Sequence, residues 1–196
     1  MDTFLAICQG LGLALAIGGG GIIVALFVAT MAHVELGIDL DGTDWEFLAS
    51  NWFVALLFGL NVVAFVARRV ESARLAHAGV LAVAGALFFA ASLAEEGLAD
   101  IAGLPAGLIA AAFAFLTAAA ILSGAQRRAG ASSDQEAATD ATNALTLIFT
   151  FGGIAAAAAA LFAPPTAIAL LLALLVLAAA RRRKAGEKYE GLRILR

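Results

Sequence analysis

The sequence predicts an all-α protein, a polytopic membrane bundle of six transmembrane helices in a single domain covering residues 1–196. Composition is the first reason. Of the 196 residues 63% are hydrophobic and 14% are charged, whereas a soluble domain has about 45–50% apolar and about 25% charged residues. A chain this apolar cannot cover its surface with polar groups in water, but it has no need to do so in lipid.

The second reason is the length of the apolar stretches. A helix of about 20 residues crosses a hydrocarbon core of roughly 30 Å. Six stretches approach or exceed this length, at residues 4–34, 47–67, 75–94, 101–125, 144–163 and 166–180. We therefore expect six transmembrane spans.

The charges of the connecting segments predict an orientation. Basic residues occur between spans two and three, between spans four and five, and after span six, whereas the segments 35–46 and 95–100 are acidic. Six alternating spans place all the basic segments on one side, which the positive-inside rule assigns to the cytoplasm. We expect a bacterial inner-membrane protein with both termini in the cytoplasm. The tail should contact anionic lipid headgroups through Arg181, Arg182, Arg183 and Lys184, and this use of the basic residues leaves no indication of nucleic-acid binding.

Span one is unusually long and contains the run Gly18, Gly19, Gly20 and Gly21. At 1.5 Å per residue its 31 residues would make about 46 Å of helix, and each glycine costs roughly 1 kcal/mol of helix stability relative to alanine. One interpretation is a tilted helix whose glycines serve packing. The other is a broken helix of the kind that builds substrate and ion sites in transporters, which makes the four glycines candidates for a pathway.

Small residues at i, i+4 spacing favour close helix packing, within one chain or between the subunits of a homo-oligomer. Such rows occur in spans one, three and four, and the candidate packing residues are Gly12, Ala16, Ala82, Ala86, Gly103 and Gly107.

Asn61 is the clearest polar residue deep in a span. An intramembrane asparagine either bonds to a neighbouring helix or lines a pathway. His33 and His77 are predicted at opposite faces of the membrane, and the chain has one cysteine, Cys8. This set forms no catalytic constellation, so we expect no enzyme activity, no metal and no cofactor.

The two halves, 1–98 and 99–196, share a layout of three spans each, which predicts a pair of inverted repeats as found in many secondary transporters. Span two opens with Ala49-Ser50-Asn51 and span five with Ala141-Thr142-Asn143.

Three stretches resemble a bacterial membrane-protein family known as domain of unknown function family 4126. They are Phe65 to Arg69 leading through His77 to Ala84-Gly85-Ala86-Leu87, then Leu161-Phe162-Ala163-Pro164-Pro165, and Lys188-Tyr189-Glu190-Gly191-Leu192-Arg193. The resemblance implies a small multi-pass membrane protein and carries no activity.

Two functional hypotheses follow from these features. The glycine run, the repeat layout and Asn61 favour a small transporter or channel for a small solute or ion. The small-residue rows, together with the lack of a charged residue at the centre of any span, favour a non-transporting scaffold or lipid-interacting protein.

Overall fold

The structure is a computed structural model that describes the backbone of residues 3–66, 73–129 and 135–193 and the side chains of residues 3–66, 75–127 and 140–180. Most of these residues are helical and none of them lies in a strand, which confirms the all-α class. Two short 3-10 turns, Glu46–Ala49 and Asp100–Ala102, accompany seven helices: α1 Thr3–Gly20, α2 Ile22–His33, α3 Asn51–Val66, α4 Ala73–Ala94, α5 Gly103–Ala129, α6 Gln135–Phe162 and α7 Thr166–Arg193.

Four of these helical segments are long and apolar enough to cross a membrane, which supports a membrane protein but not the six spans predicted. They are Thr3–Gly20, Leu75–Ala94, Asp100–Arg127 and Asp140–Phe162. The apolar parts of α2, α3 and α7 are shorter, each between 10 and 17 residues.

The prediction of one continuous span over residues 4–34 is wrong, because the helix ends at Gly20. Gly21 has φ 93° and ψ −172°, a backbone conformation that is essentially confined to glycine. The chain turns there and α2 begins at Ile22. The tilted-helix interpretation therefore fails, and the broken-helix interpretation describes the backbone.

Contacts with α6 show that α1 and α2 run in opposite directions. Gly20 lies against Gly153, and Gly12 lies against Ala160, further along α6. On the other arm, Val24 at the start of α2 also lies at Gly153, whereas Gly37, just after α2, lies against Leu161. We call α1, Gly21 and α2 the helical hairpin.

Both ends of the hairpin lie at the acidic end of the bundle. The Ser92 hydroxyl, near the end of α4, donates to the carbonyl oxygen of Ala6 at 3.2 Å, and Glu95 and Glu96 follow directly. The prediction that both termini lie on the basic side is therefore wrong for the start of α1. The reason is the turn at Gly21. Because of this turn residues 4–34 begin and end at the same end of the bundle, whereas a single crossing would place their beginning at the opposite end.

The inverted-repeat prediction is not supported either. Gly10 of α1 and Gly103 of α5 both pack on Phe89 of α4, and Gly18 of α1 packs on Ala111, further along α5. The first helices of the two halves thus run in the same direction, whereas inverted halves require opposite directions. The described residues of the second half also form long helices, α5 and α6, and include no counterpart of the hairpin.

Candidate functional site

The tip of the helical hairpin, residues 18–22, lies halfway along the bundle. Gly20 packs at Gly153, which is about 14 Å along α6 from Phe162 at the helical rise of about 1.5 Å per residue. That distance is about half of a hydrocarbon core of roughly 30 Å. The hairpin enters from the acidic end and turns back about halfway along the apolar part of α6, a level that we call mid-depth.

The four glycines of the tip divide into two kinds. A Cβ atom on Gly18 would overlap the backbone carbonyl of Ala111, and one on Gly20 would lie 2.9 Å from the Cα atom of Gly153. By contrast, a Cβ atom on Gly19 or Gly21 would meet nothing within 4 Å. Two glycines therefore permit helix contact, and the other two face open space.

Two helix ends meet at the tip. The amide of Gly21 donates to the carbonyl oxygen of Ile17 at 2.9 Å, and Gly21 in turn accepts from the amide of Val24 at 3.0 Å. No side chain caps the start of α2. The first amides of α2 and the last carbonyls of α1 lack partners within their own helices, as at any helix terminus, so the tip presents polar backbone at mid-depth.

Burial ends close to the depth of the tip. On α6 the first buried residue is Gly153, and on α4 it is Leu81. On α5 the last is Ala118, two turns beyond the Ala111 contact. We call the part from the tip to the acidic end the packed half, and the part beyond the tip the open half. Among the described residues of the open half, none on α4 or α6 is buried, whereas α5 has Ala114, Thr117 and Ala118 buried there.

Asn61 lies on α3 at a depth similar to that of the tip. The end of α2 lies beside the start of α3, because Nδ1 of His33 is 2.7 Å from the carbonyl oxygen of Ala49. By the helical rise, Gly21 is about 18 Å along α2 from His33. Asn61 is about 15 Å along α3 from Asn51. Asn61 is half-buried and follows the buried Leu57 by one turn. Its side chain has no hydrogen-bond partner among the described residues, so the interhelical bond, one of the two interpretations of Asn61, is not formed there.

The predicted packing residues lie mostly at helix contacts of the packed half. Gly12 faces Ala160 and Ala167, and Gly103 faces Ala90 and Leu93. A Cβ atom on Gly107 would lie 2.8 Å from the Cα atom of Ala86. Ala16 is buried and contacts Gly153 through its carbonyl oxygen, whereas Ala82 is only half-buried. These contacts all lie within one chain.

Gln9 is a buried polar residue that the sequence analysis missed. It is 1% exposed in the middle of the packed half, and its Nε2 donates to the carbonyl oxygen of Gly37 at 2.7 Å. The sequence does contain a signal for this contact, because a glutamine within an apolar stretch must find a hydrogen-bond partner when it is buried.

Residues 34–50 cover the acidic end of the packed half, and we call this segment the acidic cap. Its side chains Ile38, Leu40 and Leu48 are each at most 1% exposed. Trp45 Nε1 donates to Asp100 Oδ2 at 2.6 Å. The cap is therefore packed onto the bundle through these apolar side chains, whereas its carboxylates at Asp41 and Asp44 are exposed.

Glu95 ties the cap to the end of α4. The amide of Asp39 donates to Glu95 Oε1 at 3.1 Å. Burial raises the pKa of the Glu95 carboxyl, and the nearby carboxylates of Glu96 and Asp39 add to this, against the opposing effect of the Asp39 amide. The hydrogen bond between the Asp39 amide and the half-buried Glu95 is thus sensitive to pH.

The remaining reactive groups lie apart from one another. His33 lies at the acidic end, His77 packs on Phe115 in the open half with ring centroids 6.2 Å apart, and Cys8 is buried in the packed half. Among the described side chains no three His, Cys, Asp or Glu residues form a group that could hold a metal ion. The side chains of Arg181, Arg182, Arg183 and Lys184 lie outside the described residues.

An apolar groove of about 570 Å³ lies between α4 and α5, and it is separate from the tip. Seven apolar residues line it: Val83, Ala86, Leu87, Leu104, Pro105, Leu108 and Ile109. It offers no polar group to a solute.

Comparison of the chain with protein-family models, with curated proteins and with solved structures gave no match. The resemblance to domain of unknown function family 4126 stays a prediction.

Proposed function

We propose that the protein is a small membrane transporter or channel whose pathway leads through the open half to the tip of the helical hairpin. One observation carries the proposal: the hairpin ends at mid-depth, and Gly19 and Gly21 face open space there. Backbone without helical hydrogen bonds is tolerated at membrane depth only where protein buries it or a water-filled cavity solvates it. The space beside these two glycines supports the second case.

Polar side chains at similar depth support the same proposal. Asn61 has no partner among the described residues, and an unpaired amide in hydrocarbon would cost several kcal/mol. Thr150 of α6 is half-buried and directly follows Phe149, whose carbonyl oxygen would lie 3.2 Å from a Cβ atom on Gly20. Water reaching the tip would hydrate these groups.

The positive-inside rule orients the proposed pathway. The arginines 127 and 128 lie at the far end of α5, on the side of the open half. We therefore propose that the open half faces the cytoplasm of a bacterial inner membrane and that the acidic cap faces outwards.

The test is the reaction of single cysteines with a membrane-impermeant maleimide in sealed vesicles, with reagent applied from one side at a time. We expect Gly19→Cys in a Cys8→Ala background to react from the basic side only. The native Cys8 is a matched control on the same helix, since it is buried in the packed half and should be protected from both sides. Asp41→Cys and Gln126→Cys, both at exposed positions, report the two sides.

The packed half supports a second candidate, a non-transporting scaffold or lipid-interacting protein. Gly12, Gly18 and Gly20 all serve close packing, as that function would require. Protection of Gly19→Cys from both sides, with both surface controls reacting, would contradict the transport proposal and favour the scaffold.

A further inference from the structure

The helical hairpin joins two groups of helices whose apolar side chains meet in one core. Its long arm, α1, packs against α4, α5 and α6, with backbone-to-backbone approaches at Gly18 and Gly20. Its short arm, α2, packs most extensively against α3, and it also packs against the 3-10 turn Glu46–Ala49 of the acidic cap, α1 and α6. We call α1–α4–α5–α6 the first group and α2–cap–α3 the second group.

Gly21 is the covalent joint between the groups on the hairpin. Gly21 has φ 93°, and a Cβ atom placed there would meet nothing within 4 Å, so no neighbouring group packs against this residue. A glycine in open space has access to both signs of φ, so the angle between α1 and α2 can change without a clash at this residue.

Three of the hydrogen bonds that join the groups lie on the acidic side of the tip. Two of them, from the Asp39 amide to Glu95 and from Trp45 Nε1 to Asp100, are exposed or half-buried. The third, from Gln9 to Gly37, has a fully buried donor side chain. Water competes for the first two, whereas it does not reach Gln9 while the cap is closed.

The identity of residue 9 points to a contact that can open. A leucine at this position would fill the same region by apolar packing, whereas a glutamine holds Gly37 through one hydrogen bond. Such a bond has a modest net strength because water replaces it on exposure. Gly37 also lies against Leu161 of α6, since its Cβ would be 2.9 Å from that side chain, so the bond holds the cap in contact with both α1 and α6.

We propose that Gln9 is the latch of an outer gate, in which the group α2–cap–α3 turns about Gly21 and opens the tip to the acidic side. The proposal rests on the proposed function, because it supplies the second access state that a transporter with a tip reached from the basic side requires. Breaking the Gln9–Gly37 bond is the step that separates the cap from α1.

The experiment uses Gly19→Cys as the reporter in the Cys8→Ala background and measures maleimide labelling from the acidic side. We expect Gln9→Leu to raise this rate about tenfold, because the loss of one hydrogen bond from the closed state alone shifts the equilibrium by up to that factor. Ser92→Ala is the matched control, because the Ser92 hydroxyl is equally buried and bonds α1 to α4 without touching the cap. It should leave acidic-side labelling unchanged.

A cross-link separates gate opening from misfolding. Asp39→Cys and Glu95→Cys, joined by a short bifunctional thiol reagent before the reporter is labelled, tie the cap to α4. In the Gln9→Leu protein the cross-link should return acidic-side labelling to the level of the parent. Labelling that persists after cross-linking, or an unchanged rate in Gln9→Leu, would overturn the latch.

The basic-side arm of the same experiment tests the proposed function independently. Gly19→Cys with native Gln9 should react from the basic side whether or not the cap is cross-linked. If that labelling is absent, the open pathway itself fails, and if it is present while Gln9→Leu has no effect, only the gate fails.

Discussion

The packed half and the open half of this bundle contain similar residues and differ in one structural component. Both are rich in alanine and leucine, and α4, α5 and α6 pass through both. In the packed half the arm α1 lies among these three helices and its residues from Gly12 to Gly18 are all buried. Where the hairpin turns back, burial on α4 and α6 stops. The extent of the core is therefore set by the length of α1 and by the position of Gly21.

The four glycines at residues 18–21 have two different roles. Gly18 and Gly20 occupy places where another backbone leaves no room for a side chain, and Gly19 and Gly21 occupy places with no neighbour. Small residues in a membrane helix indicate packing in general, but only the first pair is required for it here.

We expect the largest change in stability from a substitution in the packed half at the closest contact between α1 and α5. Gly18→Ala places a methyl group on the backbone of Ala111, and overpacking of this kind costs typically 1–3 kcal/mol, at times more. We expect a loss of about 3 kcal/mol of unfolding free energy, measured by denaturant unfolding in detergent. Gly19→Ala is the matched control, for which we expect a gain of up to about 1 kcal/mol from helix propensity. Equal destabilisation by both changes would refute the division of the glycines.

The sequence was sufficient to predict the class and the approximate positions of α3 to α7, because long apolar stretches have few alternatives to membrane helices. It also singled out residues 18–21. It was insufficient for the direction of α2, since two interpretations of an apolar stretch with four glycines, a tilted helix and a broken one, have the same composition. The direction follows from contacts such as Gly37 with Leu161, which are 124 positions apart in the chain.

That one undetermined turn explains several of the differences between prediction and structure. The predicted side of the start of α1 and the inverted repeat both followed from treating residues 4–34 as a single crossing. The burial of Ile38, Leu40 and Leu48 in the acidic cap was likewise not evident from the sequence, because it depends on partners that are distant in the chain.

A smaller effect tests the turn itself. Gly21→Ala adds a methyl group where there is space, so its cost comes only from the backbone at φ 93°. Backbone strain of this kind costs of order 1–3 kcal/mol, and we expect about 1 kcal/mol of lost stability because the turn can relax into the open half. Since a Cβ atom at Gly19 would also meet no neighbour, the difference between Gly21→Ala and Gly19→Ala isolates the conformational cost. Identical stabilities would contradict the observed turn.

The smallest expected effect concerns the acidic cap and its dependence on pH. Burial raises the pKa of Glu95 in the closed cap, so closure favours the protonated carboxyl. The contribution of Glu95 is then fully present below the ordinary Glu pKa of about 4.3 and is lost as the pH rises through the raised pKa. We expect protection of the Asp39 amide from hydrogen exchange, corrected for the intrinsic rate, to fall over this range, and we expect Glu95→Gln to remove the dependence.

The opposite slope would identify a different dominant interaction at the cap. An ionised Glu95 accepts a stronger hydrogen bond from the Asp39 amide than a neutral one, and this bond opposes the effects of burial and of the carboxylates of Glu96 and Asp39. Protection that rises with pH would mean that the bond outweighs them. Because Gln9 does not titrate, its bond to Gly37 should hold the cap closed at either end of the range, so the Gln9→Leu variant should show a larger change with pH than the native chain.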